Sequence, residues 1–279
     1  MRSWYVEDVS PKKDANRVGF LPMNSSAKPS DTWELPTRHL GRRTIVFDQL
    51  ESTNTYATAL ASNTANDGLV VVAREQTAGR GQHGRTWQAP AGSSVLLSVL
   101  LFPPPALRRP ALLTAWAAVS VCNTIFELAG LNGRIKWPND VLVDNRKVCG
   151  ILIEQATGTV VGIGLNVNQR AEVFAAAGLE EAGSLAFFDG DDFDCDEAAR
   201  LLIQQLDAEY ERLLQGDVQP LETSWKRRLG LLGAAVVAEC PDGEWHGRLI
   251  DLGWDGVLLE TAGGPLQLLP EAVRHLRPA

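Results

Sequence analysis

Residues 79–87 read Gly79-Arg80-Gly81-Gln82-His83-Gly84-Arg85-Thr86-Trp87, three glycines and two arginines in one short stretch after the apolar run at 68–73. A loop of this composition can bring bare backbone N–H groups and fixed positive charge against an anion. Gly79, Gly81 and Gly84 satisfy G-x-G-x-x-G, and Gly79, Gly84, Arg85 and Thr86 nearly satisfy a P-loop with Arg in place of Lys. Both motifs require a helix to start at the last glycine, facing the phosphates. Here Trp87-Gln88-Ala89-Pro90-Ala91-Gly92 follows, and Pro90 and Gly92 disfavour a helix. The dinucleotide fold also needs an acidic residue about 20 positions on. No Asp or Glu occurs from Gln76 through Phe126, which removes that residue and a nearby Walker-B carboxylate together. The same absence leaves Arg80, Arg85, Arg108 and Arg109 unopposed in sequence. The expectation is therefore an anion-binding loop in neither a Rossmann nor a P-loop fold.

The flanking pattern mixes short strands with few helices. Strands are expected at residues 44–47, 70–73 and 95–102, the last stopped by Pro103-Pro104-Pro105. Glu51-Ser52-Thr53-Asn54 offers cap residues for a helix through Tyr56 and Leu60. Residues 109–128 are apolar almost all round and read as a buried helix ending at Gly130. A strand block follows at 134–136, 141–143, 148–154 and 160–167, then helices at 197–214 and 220–229. From Gly233 only short strands remain, at 234–239, 245–251, 256–260 and 266–269, which suggests a small β-barrel of SH3-like type. Residues 1–40 carry four prolines and no sustained period, so they read as an extended or disordered leader. The units expected are thus 1–40 leader, 41–230 main domain and 231–279 terminal module.

Charge and cysteine usage exclude several classes. Residues 1–43 hold eight Lys+Arg against five Asp+Glu, and residues 44–279 hold eighteen against twenty-nine. So acidic a body argues against a general nucleic-acid surface. Cys122, Cys149, Cys195 and Cys240 are far apart with no C-x-x-C, and read as buried thiols of a reducing compartment. No apolar run reads as long enough to span a membrane and no signal-type apolar segment opens the chain, so the cytoplasm is expected. His39, His83, His246 and His275 are scattered and there is no H-E-x-x-H, so no metal held by the protein alone is expected. No G-x-S-x-G elbow supplies a nucleophile.

Three further segments could carry chemistry. After residue 43 the only lysines are Lys136, Lys147 and Lys226, and Lys136 ends an apolar strand before the turn Trp137-Pro138-Asn139-Asp140. A lysine there is either a charge aimed into a site or a solvated turn residue. Gly162 and Gly164 alternate in Gly162-Ile163-Gly164-Leu165-Asn166-Val167-Asn168, which leaves one strand face bare for a flat ligand or for close packing. Ser52-Thr53-Asn54 can bind a polar ligand or simply cap a helix.

Taken in order and spacing, residues 79–87, 136–141, 150–154 and 162–168 resemble the biotin–protein ligases, over residue 44 to the C-terminus. The resemblance implies an α+β fold, a mixed sheet with flanking helices like the catalytic domain of class II synthetases, followed by an SH3-like barrel. It implies ATP-dependent attachment of biotin to a lysine of a biotin carboxyl carrier protein, such as that of acetyl-CoA carboxylase, through biotinyl-5′-AMP. Biotin is the substrate; ATP and Mg2+ are the cofactors, the metal arriving with the nucleotide. The implied biotin contacts are Ser52, Thr53, Asn54, Gln76, Arg80, Gly81, Gln82, Lys136, Gly162 and Gly164. The implied adenylate contacts are Arg80, Gln82, Arg85, Trp87, Lys136, Asn139 and Asn166. Lys136, Arg80 and Arg85 would carry the catalytic charge.

Two departures stand out. The family loop usually reads Gly-Arg-Gly-Arg, and here the second Arg is Gln82, which predicts a weaker grip on the adenylate. Repressor-type members add an N-terminal helix-turn-helix, and residues 1–40 are too short and irregular for one, so a ligase without DNA binding is expected. Alternatives are a lipoate or octanoate ligase or transferase of the same fold, and a sensor that retains biotinyl-AMP without turnover. Sequence leaves the oligomeric state open, a homodimer included.

Overall fold

A computed structural model describes residues 27–279. Strands β1 (Asp31–Trp33), β2 (Thr44–Leu50), β3 (Val70–Gln76), β4 (Ser94–Leu101), β5 (Arg134–Lys136), β6 (Asp140–Val143), β7 (Arg146–Gln155) and β8 (Thr159–Asn166) form one sheet in the order β1-β2-β3-β4-β8-β7-β6-β5. Only β2 and β3 run parallel, joined over helix α1 (Thr53–Ala59); every other pair is antiparallel.

Every residue of β4 is buried, because both faces of the sheet are covered. The period of two divides its side chains. Val95, Leu97, Val99 and Leu101 join the large core under helix α2 (Pro110–Ala129), whereas Leu100 joins Phe47, Tyr56 and Val71 under α1. Helix α2 is closed by Gly130 at φ 66°, the left-handed position that suits glycine. Short helices α3 (Ala171–Ala176) and α4 (Leu185–Asp189) precede α5 (Cys195–Leu214) and α6 (Gln219–Leu229), and α2 packs against both α5 and α6.

A second, five-stranded antiparallel sheet follows: β9 (Ala235–Cys240), β10 (Gly243–Gly253), β11 (Gly256–Thr261), β12 (Gly264–Leu268) and β13 (His275–Pro278), in the order β12-β11-β10-β9-β13. It is the all-β terminal unit that the loss of helical spacing announced. The fifth strand, β13, escaped the sequence reading because it is four residues long and ends on Pro278.

Two expectations are corrected. The part of the 1–40 leader that the structure describes is not loose: Trp33 and Leu40 are buried, and β1 pairs with β2. Asp207 of α5 accepts the backbone N–H groups of Arg38, His39 and Leu40, each at 2.8 Å. These partners lie some 167 residues away, so local periodicity carried no trace of them. Residues 1–26, on which most of the leader and helix-turn-helix readings fall, lie outside the described residues. Second, Pro110–Ala129 is long and apolar enough to cross a membrane, contrary to the sequence reading. In the structure it is the central core helix, with Trp116, Val119 and Ile125 fully enclosed.

Candidate active site

The carboxyl ends of β2 and β3, the 79–87 loop and the bare faces of β7 and β8 surround a cleft of about 340 Å3. Ser52, Thr53, Asn54, Gln76, Arg80, Gly81, Gln82, Arg85, Trp87, Lys136, Asn139, Gly162, Gly164 and Asn166 all line it. The stretches singled out in sequence therefore meet in one place.

Its floor is polar, with Ser52, Thr53 and Asn54 buried and Gln76 half-buried. Ser52 is the N-cap of α1, its Oγ accepting from Thr55 N at 3.4 Å, so the capping reading holds while the residue also faces the cleft. Gln76 Oε1 accepts from Thr53 N at 2.7 Å and from Thr53 Oγ1 at 3.1 Å. Ser98 of β4 bridges Thr53 Oγ1 at 2.8 Å and Asn54 Oδ1 at 2.6 Å. Ser98 was not foreseen, although a lone hydroxyl in the apolar run 95–101 must find a buried partner.

The glycine loop is a closed hairpin with a single 3-10 turn at Gln82–Gly84, and no helix follows it, as the sequence required. Gly81 N donates to Arg85 O at 2.8 Å and Trp87 N to Gly79 O at 3.0 Å. Those amides are thus not bare, and the loop meets the cleft with side chains more than with a row of free N–H groups. Gly79 is required by packing, since a Cβ there would lie 2.4 Å from Trp87 O.

The alternate glycines of β8 do leave a bare face, but two protein side chains occupy it. A Cβ on Gly162 would fall 2.0 Å from Asn54 Oδ1, and one on Gly164 would fall 2.5 Å from the Trp87 ring. The indole also rests on Gly150 of β7, where a Cβ would come within 2.9 Å, and its buried Nε1 finds no partner among the described residues. Asn139 ties the turn after Lys136 to β7, donating to Ile151 O at 2.7 Å. Asn166 donates to Gly183 O at 3.0 Å, holding the segment beyond α3 against the cleft.

The charges are only partly as the sequence suggested. Arg80 is not unopposed: it pairs closely with Glu154 of β7. Arg109 likewise pairs with Asp255 of the terminal sheet. Lys147, scarce in sequence but given no role, reaches the cleft, 2.6 Å from Asp140 and 5.9 Å from the centroid of Trp87. Among the described residues Arg85 and Lys136 have no ion-pair partner, so they are the cations left for a ligand. His275 of β13 also lines the cleft, a contribution of the terminal sheet that nothing in the local sequence announced.

Comparison with known proteins agrees with this fold. A family model, the biotin/lipoate A/B protein ligase family, matches residues 46–168. The chain is 34% identical to the biotin--[acetyl-CoA-carboxylase] ligase of Mycobacterium tuberculosis over 249 residues, covering 85% of this chain and 90% of that protein. It is 33% identical to the bifunctional ligase/repressor BirA of Bacillus subtilis, covering 89% and 79%. A solved biotin protein ligase from Aquifex aeolicus, in complex with biotin and ATP, superposes with a TM-score of 0.72 at 26% identity, covering 85% of this chain and 99% of that one. With its mixed sheet, terminal antiparallel sheet and cationic cleft, the chain belongs to the biotin/lipoate A/B protein ligase family and, within it, to the biotin protein ligases.

Proposed function

We propose that the cleft activates biotin with ATP and passes it to a lysine of a biotin carboxyl carrier protein. In the first step a carboxylate oxygen of biotin attacks the α-phosphorus. The bond to the β-phosphate breaks, and biotinyl-5′-AMP and pyrophosphate result. Two anions must approach each other, so alignment and charge neutralisation do most of the work. Lys136 and Arg85 carry that charge toward the phosphates, and Arg80, Gly81 and Gln82 lie over the carboxylate end. In the second step the acceptor's ε-amine attacks the acyl carbon, AMP leaves and the amine loses a proton. The nucleophile comes from the partner, in keeping with the lack of a serine or cysteine nucleophile motif in this chain.

The observation that carries the reading is the hydrogen-bonding floor of buried Ser52, Thr53 and Asn54 with half-buried Gln76, held from beneath by the buried hydroxyl of Ser98. A ureido ring offers two donors and an acceptor to such a floor. A dithiolane or alkyl end would strip water from it without replacement, costing about 1–3 kcal/mol per polar group. This favours biotin over lipoate or octanoate. Among the described residues no three metal-ligating side chains cluster, and Asp140 is paired with Lys147. Mg2+ would therefore be held by the nucleotide phosphates, its usual manner of binding. The acidic body supports a protein acceptor over a nucleic acid, and a cytoplasmic site of action agrees with four free thiols.

The test is intact-mass analysis of a carrier domain incubated with this protein, Mg-ATP and equimolar biotin, lipoate and octanoate. A biotinyl adduct is expected, with its rate cut about 100-fold or more in Lys136→Ala, the scale for removing one charge-stabilising donor. A lipoyl or octanoyl adduct would refute the substrate. Co-purifying biotinyl-AMP without any adduct would make the protein a sensor.

A further inference from the structure

Glu154 sits near the end of β7, and its carboxylate joins two parts of the cleft that the chain keeps far apart. One oxygen, Oε2, accepts from Asn54 Nδ2 at 2.9 Å; the other, Oε1, accepts from Arg80 Nη2 in close contact. Arg80 Nη1 in turn reaches Thr55 Oγ1 at 3.3 Å, on the same short helix as Asn54. The far end of the Asn54 amide, Oδ1, accepts from Ser98 Oγ at 2.6 Å and lies over the bare Cα of Gly162. A carboxylate can only accept, so it selects the NH2 end of the Asn54 amide and leaves the oxygen for Ser98. No other carboxylate contacts Asn54 or Arg80 among the described residues.

We propose that Glu154 is a positioning residue of this site, setting the direction of the Asn54 amide and holding the 79–87 loop, through Arg80, over the anionic end of the ligand. The inference rests on the function proposed above. The head-group floor and the anion loop are thereby oriented by one side chain, and the two arms are separable. The Asn54 arm governs recognition of the acid to be activated. The Arg80 arm governs retention of the acyl adenylate.

Two substitutions test this. Glu154→Gln keeps an acceptor for Asn54 but turns an uncharged amide toward Arg80; Glu154→Ala removes both arms. In biotin-dependent pyrophosphate exchange, Glu154→Gln is expected to leave the KM for biotin within about twofold of the parent and to speed adenylate dissociation about tenfold, a charge-assisted contact being lost. Glu154→Ala should add a rise of about tenfold in biotin KM. In ligand-free protein, hydrogen exchange at the amides of Gly81 and Trp87 should quicken in Glu154→Gln while β4 and β8 stay protected. Unchanged adenylate dissociation and unchanged loop exchange in Glu154→Gln would overturn the proposal. Equal increases in biotin KM in both variants would overturn it too, by making the residue a general structural support. If the parent protein gave no biotin-dependent exchange, the function would fail first, and the ligand-free exchange would still decide the role of Glu154.

Discussion

The indole Nε1 of Trp137 donates to the main-chain oxygen of Val273 over 2.7 Å, in a bond that is fully buried. Trp137 directly follows Lys136, and Val273 lies two residues before His275, so this bond ties the turn that bears Lys136 to the start of the last strand of the terminal sheet. The Trp137 ring lies 6.0 Å from Trp225 of α6, which stacks on Trp254 at 4.8 Å. Three indoles from three segments thus fasten the small sheet beside the cleft, where His275 completes the wall.

Replacing Trp137 with Phe keeps much of the apolar volume and deletes the donor, leaving a buried carbonyl unpaired. We expect a loss of about 1–3 kcal/mol in unfolding free energy. Because the turn bearing Lys136 loosens, kcat should fall more than either KM changes. Urea titration and steady-state exchange kinetics check both parts, and an unchanged midpoint would rule out the bond as a support.

Gly162 and Gly164 make room for different side chains, so their alanine variants should fail differently. Gly162→Ala drives a methyl group into Asn54 and is expected to raise the KM for biotin about tenfold, one hydrogen bond's worth. Gly164→Ala displaces the Trp87 ring and should raise the KM for ATP while biotin is little affected. The opposite pairing of effects would show that the biotin and nucleotide ends of the cleft had been assigned the wrong way round.

Gln82 stands in the loop where the family usually carries arginine. Restoring the charge with Gln82→Arg adds a charge-assisted hydrogen bond of about 1.5–3 kcal/mol. The half-life of bound biotinyl-AMP should then lengthen by about ten- to a hundredfold, read from the release of labelled adenylate. No change would mean that Arg85 or the backbone already meets the need.

All four cysteines are free thiols, and three are buried as the sequence suggested; Cys195 is only partly covered. Burial pushes Cys122 and Cys195 from the ordinary value of 9.0 up to about 11, and Cys149 well above it. Folding therefore favours the neutral thiols. Their stabilisation is intact below pH 9 and is lost as pH rises through about 11. Iodoacetamide at pH 8 should label the native protein slowly, Cys195 first, and the denatured protein rapidly at all four. Peptide mapping that found Cys122 or Cys149 labelled first would contradict this order.

By itself the sequence determined the long strands and helices, the fold class and most parts of the candidate site, but not the short β1, α3, α4 and β13. Alternation, capping residues and turn glycines act over a few residues, so a helix-free glycine loop at 79–87, the all-apolar α2 and the change to short strands after Gly233 were legible directly, whereas the closure of that loop into a hairpin was not. Each of the stretches around Ser52, Gln76, Arg80, Lys136 and Gly162 carried its own local signature. Only the tertiary structure decided which side chains answer one another. Glu154 meets Arg80 across 74 residues, Asp207 gathers the amides of 38–40 across 167, and Trp87 and Asn54 fill the face that Gly162 and Gly164 leave open. Such pairings depend on strand order and register, where a shift of one residue sends every side chain to the opposite face. That choice is made by the packed core as a whole and leaves no mark within any single segment.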